Sequence, residues 1–111
     1  MKMNHDQYVH KQRMRAAEVA QAMLDGSIPY LDGAIELSSL RHQVDVAEND
    51  PDFLAFTLVA SEIDHLPIGA ARRYWSEEAL DRHEPEIYRS TQWAKEVSWS
   101  RCKAIVERFS A

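Results

Sequence analysis

Pro29 to Val44, PYLDGAIELSSLRHQV, reads as a central helix around which the rest of the chain is organised. On a 3.6-residue wheel Leu31 and Ile35 share one side with the preceding Ile28, and Tyr30, Leu37, Leu40 and Val44 lie round on another. Only Asp32, Glu36, Ser39 and Gln43 make a continuous polar strip. A surface helix needs a much narrower apolar stripe, so this one must touch neighbours on more than one side. The fold expected from it is all-α: a single-domain bundle of about five helices packed around helix 29–44.

The flanking sequence divides at prolines. Pro29, Pro51, Pro67 and Pro85 stand 22, 16 and 18 residues apart. Proline suits the first helical turn and breaks the interior, so the spacing predicts helical segments joined by short turns. Met14, Ala17, Ala20, Met23 and Leu24 place a first amphipathic helix at about 6–24, ended by Asp25-Gly26, with residues 1–7 expected to fray. Ser27 offers an N-cap for the central helix, and Asp50 offers one for the next, with Pro51 behind it. FLAFTLVA, residues 53–60, has the composition of a buried strand. The helical spacing of Phe53, Phe56, Val59, Ile63 and Leu66 favours helix. Ser76-Glu77-Glu78 signals another start, with Trp75 placed to staple onto Leu80. That helix is expected to stop near His83-Glu84, and a last one to open at Pro85 with Val97-Ser98-Trp99-Ser100 as a possible interruption.

Composition bounds the rest. With 111 residues, 45% hydrophobic and 28% charged, the chain is sized for one core, so residues 1–111 are read as one domain. No run nears the ~18 apolar residues of a membrane span. MKMNHDQYVHKQRMR has no apolar region of a secretory signal, and a cytoplasmic location is the expectation. Cys102 is the sole cysteine, which excludes an internal disulfide and any multi-cysteine metal site; it reads as a small buried hydrophobe.

Charge is unevenly laid out. Residues 25–65 hold nine acids (Asp25, Asp32, Glu36, Asp45, Glu48, Asp50, Asp52, Glu62, Asp64) and one base, Arg41, within a chain of net charge −5. Such a surface repels phosphate backbones and draws cationic proteins, disfavouring direct nucleic-acid binding. The alternative is that these acids are solvated and sit near helix starts, where the macrodipole favours them.

Arg41 and His42 interrupt the apolar arc of the central helix. A buried guanidinium needs an acid, and Glu62 or Asp64 is the nominee. The set is then a structural clamp or a polar pocket for an anionic small molecule; alternatively Arg41 snorkels outward. The five histidines are scattered, with no HExxH and no i, i+4 pair, so no metal site and no cofactor is expected. No nucleophile elbow or glycine-rich phosphate loop is present, and no reaction is indicated. Trp93 and Trp99 fall off the main face of the last helix, either as interface anchors or as lids on the core.

LSSLRHQV (37–44), DPDFLAF (50–56) and SEIDHLP (61–67) resemble segments of small all-helical bacterial proteins. In size, acidity and single-domain build the chain is similar to cytoplasmic immunity proteins, a likeness that implies one-to-one binding to a toxin domain, often a basic nuclease. The functional expectation is a non-enzymatic module, monomeric or a small homo-oligomer. Asp45, Glu48, Asp50 and Asp52, with Trp93 and Trp99, would meet a cationic protein partner. A small enzyme or ligand-binding protein using Arg41, His42 and Glu62 or Asp64, or a homo-oligomeric scaffold, stands as the alternative.

Overall fold

A computed structural model describes residues 3–110. Among them the chain forms four α-helices and two 3-10 helices and no strand: α1 His5–Asp25, α2 Tyr30–Leu40, a 3-10 turn Arg41–Gln43, α3 Pro51–Glu62, a second 3-10 turn Gly69–Tyr74, and α4 Glu77–Phe109. The all-α fold is as the periodicity requires, and FLAFTLVA is helical.

Side chains that satisfy free backbone groups set the boundaries. Asn4 and Gln7 form a reciprocal capping box, so α1 is ordered from His5 where fraying was expected; residues 1 and 2 lie outside the described residues. Gly26 ends α1 in the left-handed region, φ 77°, with its N–H on Ala22 and Met23 carbonyls. Asp50 caps α3 through the N–H groups of Asp52 and Phe53, with Pro51 at the first position. Ser76 caps α4 through Ala79 N–H. Ser27, by contrast, caps nothing: Pro29 itself stands at the N-cap of α2, with no side-chain bond there.

The central segment is a shorter helix than 29–44. α2 gives way at Arg41 to the 3-10 turn, and Arg13 of α1 then takes the carbonyls of Val44 and Asp45 at 2.8 and 3.1 Å, holding Asp45 at a left-handed φ of 53°. α2 packs against all three other α-helices, burying Tyr30, Leu31, Ala34, Leu37 and Leu40. Gly33 lets α1 come close: a Cβ there would stand 2.5 Å from Met23 Sδ. α4 likewise touches α1, α2 and α3, and the core lies between the four helices, with α1, α2 and α3 giving most of its side chains and α4 giving Ala94, Cys102 and Ile105.

α4 corrects the reading of the last third. Its 33 residues run unbroken through Pro85 and through Val97–Ser100. A helix of that length spans ~50 Å, comparable to the 46 Å long dimension of the molecule. Pro85 deprives the Asp81 carbonyl of its N–H partner, and both residues are exposed, so water can take the freed acceptor. The spacing of Ile87, Thr91, Ala94, Val97, Cys102, Ile105 and Phe109 predicts the buried face of this helix, and the structure departs from it at Val97, whose place inside is taken by Ser98. Ala94, Ser98, Cys102 and Ile105 are buried, and Val97 is 39% exposed. Ser98 is tolerated inside because its hydroxyl donates to the Ala94 carbonyl at 2.5 Å and lies 2.7 Å from the Tyr30 hydroxyl. No described helix is long and apolar enough to cross a membrane.

Candidate functional site

The nine acids of residues 25–65 meet very different fates. Asp50 and Asp52 lie at the start of α3, with side chains only 10% and 11% exposed, against the C-terminal half of α4. Arg108 Nη1 reaches Asp50 Oδ2 at 2.8 Å and Asp52 Oδ2 at 2.9 Å, and Arg101 Nη1 reaches Asp52 Oδ1 at 3.2 Å. Burial opposes the charge on Arg108, but hydrogen bonds to Asp52 and Asp50 outweigh it and hold the guanidinium above its ordinary pKa. These two acids therefore tie α3 to α4. Glu36 of α2 takes a two-pronged bond from Arg15 of α1, 2.5 and 2.9 Å. Asp32 accepts Gly69 N–H at 3.1 Å, and Asp25 accepts from Gln21 at 2.9 Å.

Four acids remain. Asp45, Glu48, Glu62 and Asp64 are exposed, and their carboxylates make no ion pair or hydrogen bond among the described residues. Asp45 and Glu48 sit on the α2–α3 connection; Glu62 and Asp64 sit at the opposite end of α3, which is ~18 Å long. The expected binding set of Asp45, Glu48, Asp50 and Asp52 thus splits in two. The first pair is open to solvent. The second is already neutralised by arginines that are distant in sequence.

Arg41 does not form the expected clamp. Its Nη1 donates to the Glu48 carbonyl at 3.0 Å, its Nη2 lies 3.4 Å from His42 Nε2, and its Nε is buried without a partner. Neither Glu62 nor Asp64 pairs with it. The reason is local: Arg41 opens the 3-10 turn where the chain leaves α2, so its side chain spans the loop seven residues on. His42 is exposed and lines a small cleft of about 140 Å³ with His5, Tyr8 and Asp45.

No family model, curated protein or solved structure matches the chain. Among the described residues no three His, Cys, Asp or Glu side chains are placed to hold a metal ion.

The tryptophans belong mainly to the fold. Trp99 stacks on Tyr30 at 6.0 Å and 16°, with Lys95 Nζ about 6 Å from both rings, and Trp93 is half-buried against the core. Beneath Trp99 the Tyr30 hydroxyl also lies 3.6 Å from Cys102 Sγ. Burial raises the Tyr30 phenol above its ordinary value and pushes the Cys102 thiol up to about 11. Cys102 is thus a protonated core residue.

Two further features are not evident from the sequence. Glu86 of α4 bridges His65 at 2.7 Å and His83 at 3.5 Å, and the bond to His65 holds its carboxyl below the usual range. Leu54 and Leu58 of α3 are 38% and 49% exposed, one helical turn apart and one turn before Glu62. Their phase relative to Phe53, Phe56, Val59 and Ile63 was the available signal, since it turns both leucines away from the buried stripe of α3.

Proposed function

We propose that the protein is a non-enzymatic binding module for a cationic protein partner, with the open acidic loop of Asp45 and Glu48 as its primary contact. The observation that carries this reading is selective neutralisation. Arginines pair Glu36, Asp50 and Asp52, whereas Asp45, Glu48, Glu62 and Asp64 keep exposed carboxylates around α3 that are unpaired among the described residues. Unpaired surface charge of one sign accelerates encounter with an oppositely charged partner and is screened by salt. Exposed leucines beside Glu62 supply the apolar centre that such a charged rim needs. The most concrete form of this function is an acidic immunity protein, acting in the cytoplasm, whose carboxylates occupy the phosphate-binding surface of a basic nuclease toxin and exclude its substrate.

The test is capture from a lysate of the source organism with the wild-type chain and with Asp45→Asn/Glu48→Gln, followed by association kinetics on the captured protein across a salt series. One basic protein retained stoichiometrically by the wild type, with a slower on-rate and flatter salt dependence for the variant, is the expected result. An on-rate unaffected by the two substitutions would overturn the assignment of the loop.

A further inference from the structure

We propose that the recess between α2, the 3-10 turn Gly69–Tyr74 and α4 is a binding site for an apolar α-amino acid, taken as its zwitterion. This goes beyond the cationic-partner reading and uses none of the open acids assigned there.

The three elements wall a recess of about 360 Å³. That is at the small end of cavities that hold small molecules. Tyr30 and Leu31 of α2, core residues only 5% and 2% exposed, give it one apolar side. Ile68, just ahead of the turn, and Ile87 of α4 are partly buried and add to that surface. Such walls suit a branched, thioether or aromatic side chain.

Polar groups of both signs line the same recess: Asp32 of α2, Arg72 of the turn and Thr91 of α4. Asp32 spends Oδ1 on the Gly69 N–H at 3.1 Å, and its second oxygen makes no bond among the described residues. Thr91 donates its hydroxyl proton to the Ile87 carbonyl at 2.8 Å, so toward a ligand it is an acceptor. These two acceptors fit an ammonium group. Arg72 supplies the opposite charge. Its neighbour Arg73 is spent on Tyr74, lying 5.0 Å from the ring centre, whereas the Arg72 side chain makes no ion pair or hydrogen bond among the described residues. The turn that carries Arg72 is held at one end by the Gly69 bond to Asp32. At the other, the Trp75 ring stands edge-on to His83 at 5.1 Å. A guanidinium on a support fixed at both ends is suited to a carboxylate, which it can take with two parallel bonds.

The combination of signs selects the ligand. Asp32 and Arg72 share the recess without pairing to each other. A simple carboxylate would be drawn by Arg72 and repelled by Asp32, and a simple amine the reverse. A molecule with both charges on one carbon is attracted by both, and its side chain is left for the apolar walls.

Titration of the full chain, labelled with nitrogen-15, with L-leucine, L-methionine and L-phenylalanine in turn tests this by the amide shifts of Gly69 and Thr91 and by calorimetry. At least one of the three is expected to saturate the site with a dissociation constant below about 1 mM, within reach of a ligand of about ten non-hydrogen atoms. The matched amine and the matched carboxylic acid, each lacking one charge, should bind at least about tenfold more weakly, and the same loss is expected in Arg72→Gln and in Asp32→Asn, the effect of removing one charge-assisted hydrogen bond. Both variants should fold, because Arg72 is exposed and asparagine keeps an oxygen for the Gly69 N–H, and circular dichroism checks this. No saturable binding up to about 10 mM with any of the three overturns the inference. So does an affinity that is unchanged in the folded variants or shared by the matched amine or acid, which would leave only an apolar hollow without selectivity for the zwitterion.

Discussion

Asp45 and Glu48 stand within seven residues of Asp50 and Asp52, in one acidic run, yet the fold uses the two pairs in opposite ways. The loop pair faces solvent. The helix-start pair is nearly buried and held by Arg101 and Arg108 from a helix about fifty residues further along. Charge counted along the chain treats the four as one surface, and only tertiary structure separates carboxylates left open to solvent from carboxylates that bind the chain itself.

The largest effect that would break this comparison is at the helix start. Asp50→Asn/Asp52→Asn keeps a capping side chain at residue 50 but strands two arginines, and it is expected to cost about 2–4 kcal/mol in urea denaturation. The value lies near or below the usual range for a broken buried pair because the arginine heads are partly solvated. Arg101→Met/Arg108→Met should give a loss of the same order while leaving two carboxylates newly unpaired, so its association with a cationic partner should be no slower than wild type.

A second contrast is with the interior. The Tyr30 hydroxyl and the Cys102 thiol bond only to neutral groups among the described residues, and burial raises both, Cys102 to about 11. The unfolded chain releases these protons near their ordinary values while the folded chain retains them. Their contribution to stability is therefore intact below pH 9 and lost as pH climbs toward and past 11. Thermal melts should fall in that window, and Tyr30→Phe/Cys102→Ala should flatten the fall. A wild-type alkaline limb beginning well below pH 9 would assign it to other groups.

Several helix boundaries were legible because they are written in neighbouring residues: Gly26, Asp50-Pro51, and Ser76 followed by two glutamates; the Asn4–Gln7 capping box, equally local, was hidden by the polar residues around it, which suggested fraying. The central role of α2 was legible from its broad apolar arc. What escaped has a physical reason in each case. Pro85 marks a break only if its freed carbonyl is buried, and exposure is a tertiary property. Ser98 replaced Val97 in the core because Tyr30, 68 residues away, answers its hydroxyl. Arg41 was matched to acids by charge, whereas the turn geometry gave it a loop carbonyl. The Asp50–Asp52 clamp was hidden for the same reason, its arginines lying far off in sequence.

Smaller effects sharpen the comparison at the loop. Arg41→Met removes one bond to the Glu48 carbonyl but also a buried, unpartnered Nε, so the net loss should be about 1 kcal/mol or less. Asp45→Gly removes a charge and relieves a left-handed backbone, φ 53°, and is expected to hold or raise stability by up to about 1 kcal/mol in the same urea assay, while slowing partner association. A clear loss of stability in Asp45→Gly would mean that the carboxylate has a structural bond.

The most direct test of the division between the two acid pairs is side-by-side urea denaturation of Asp45→Asn/Glu48→Gln and Asp50→Asn/Asp52→Asn at one pH and salt. The account predicts that the first stays within about 0.5 kcal/mol of wild type, as expected of unpaired surface groups, while the second loses about 2–4 kcal/mol. Equal losses in the two variants, or a larger loss in the first, would contradict it.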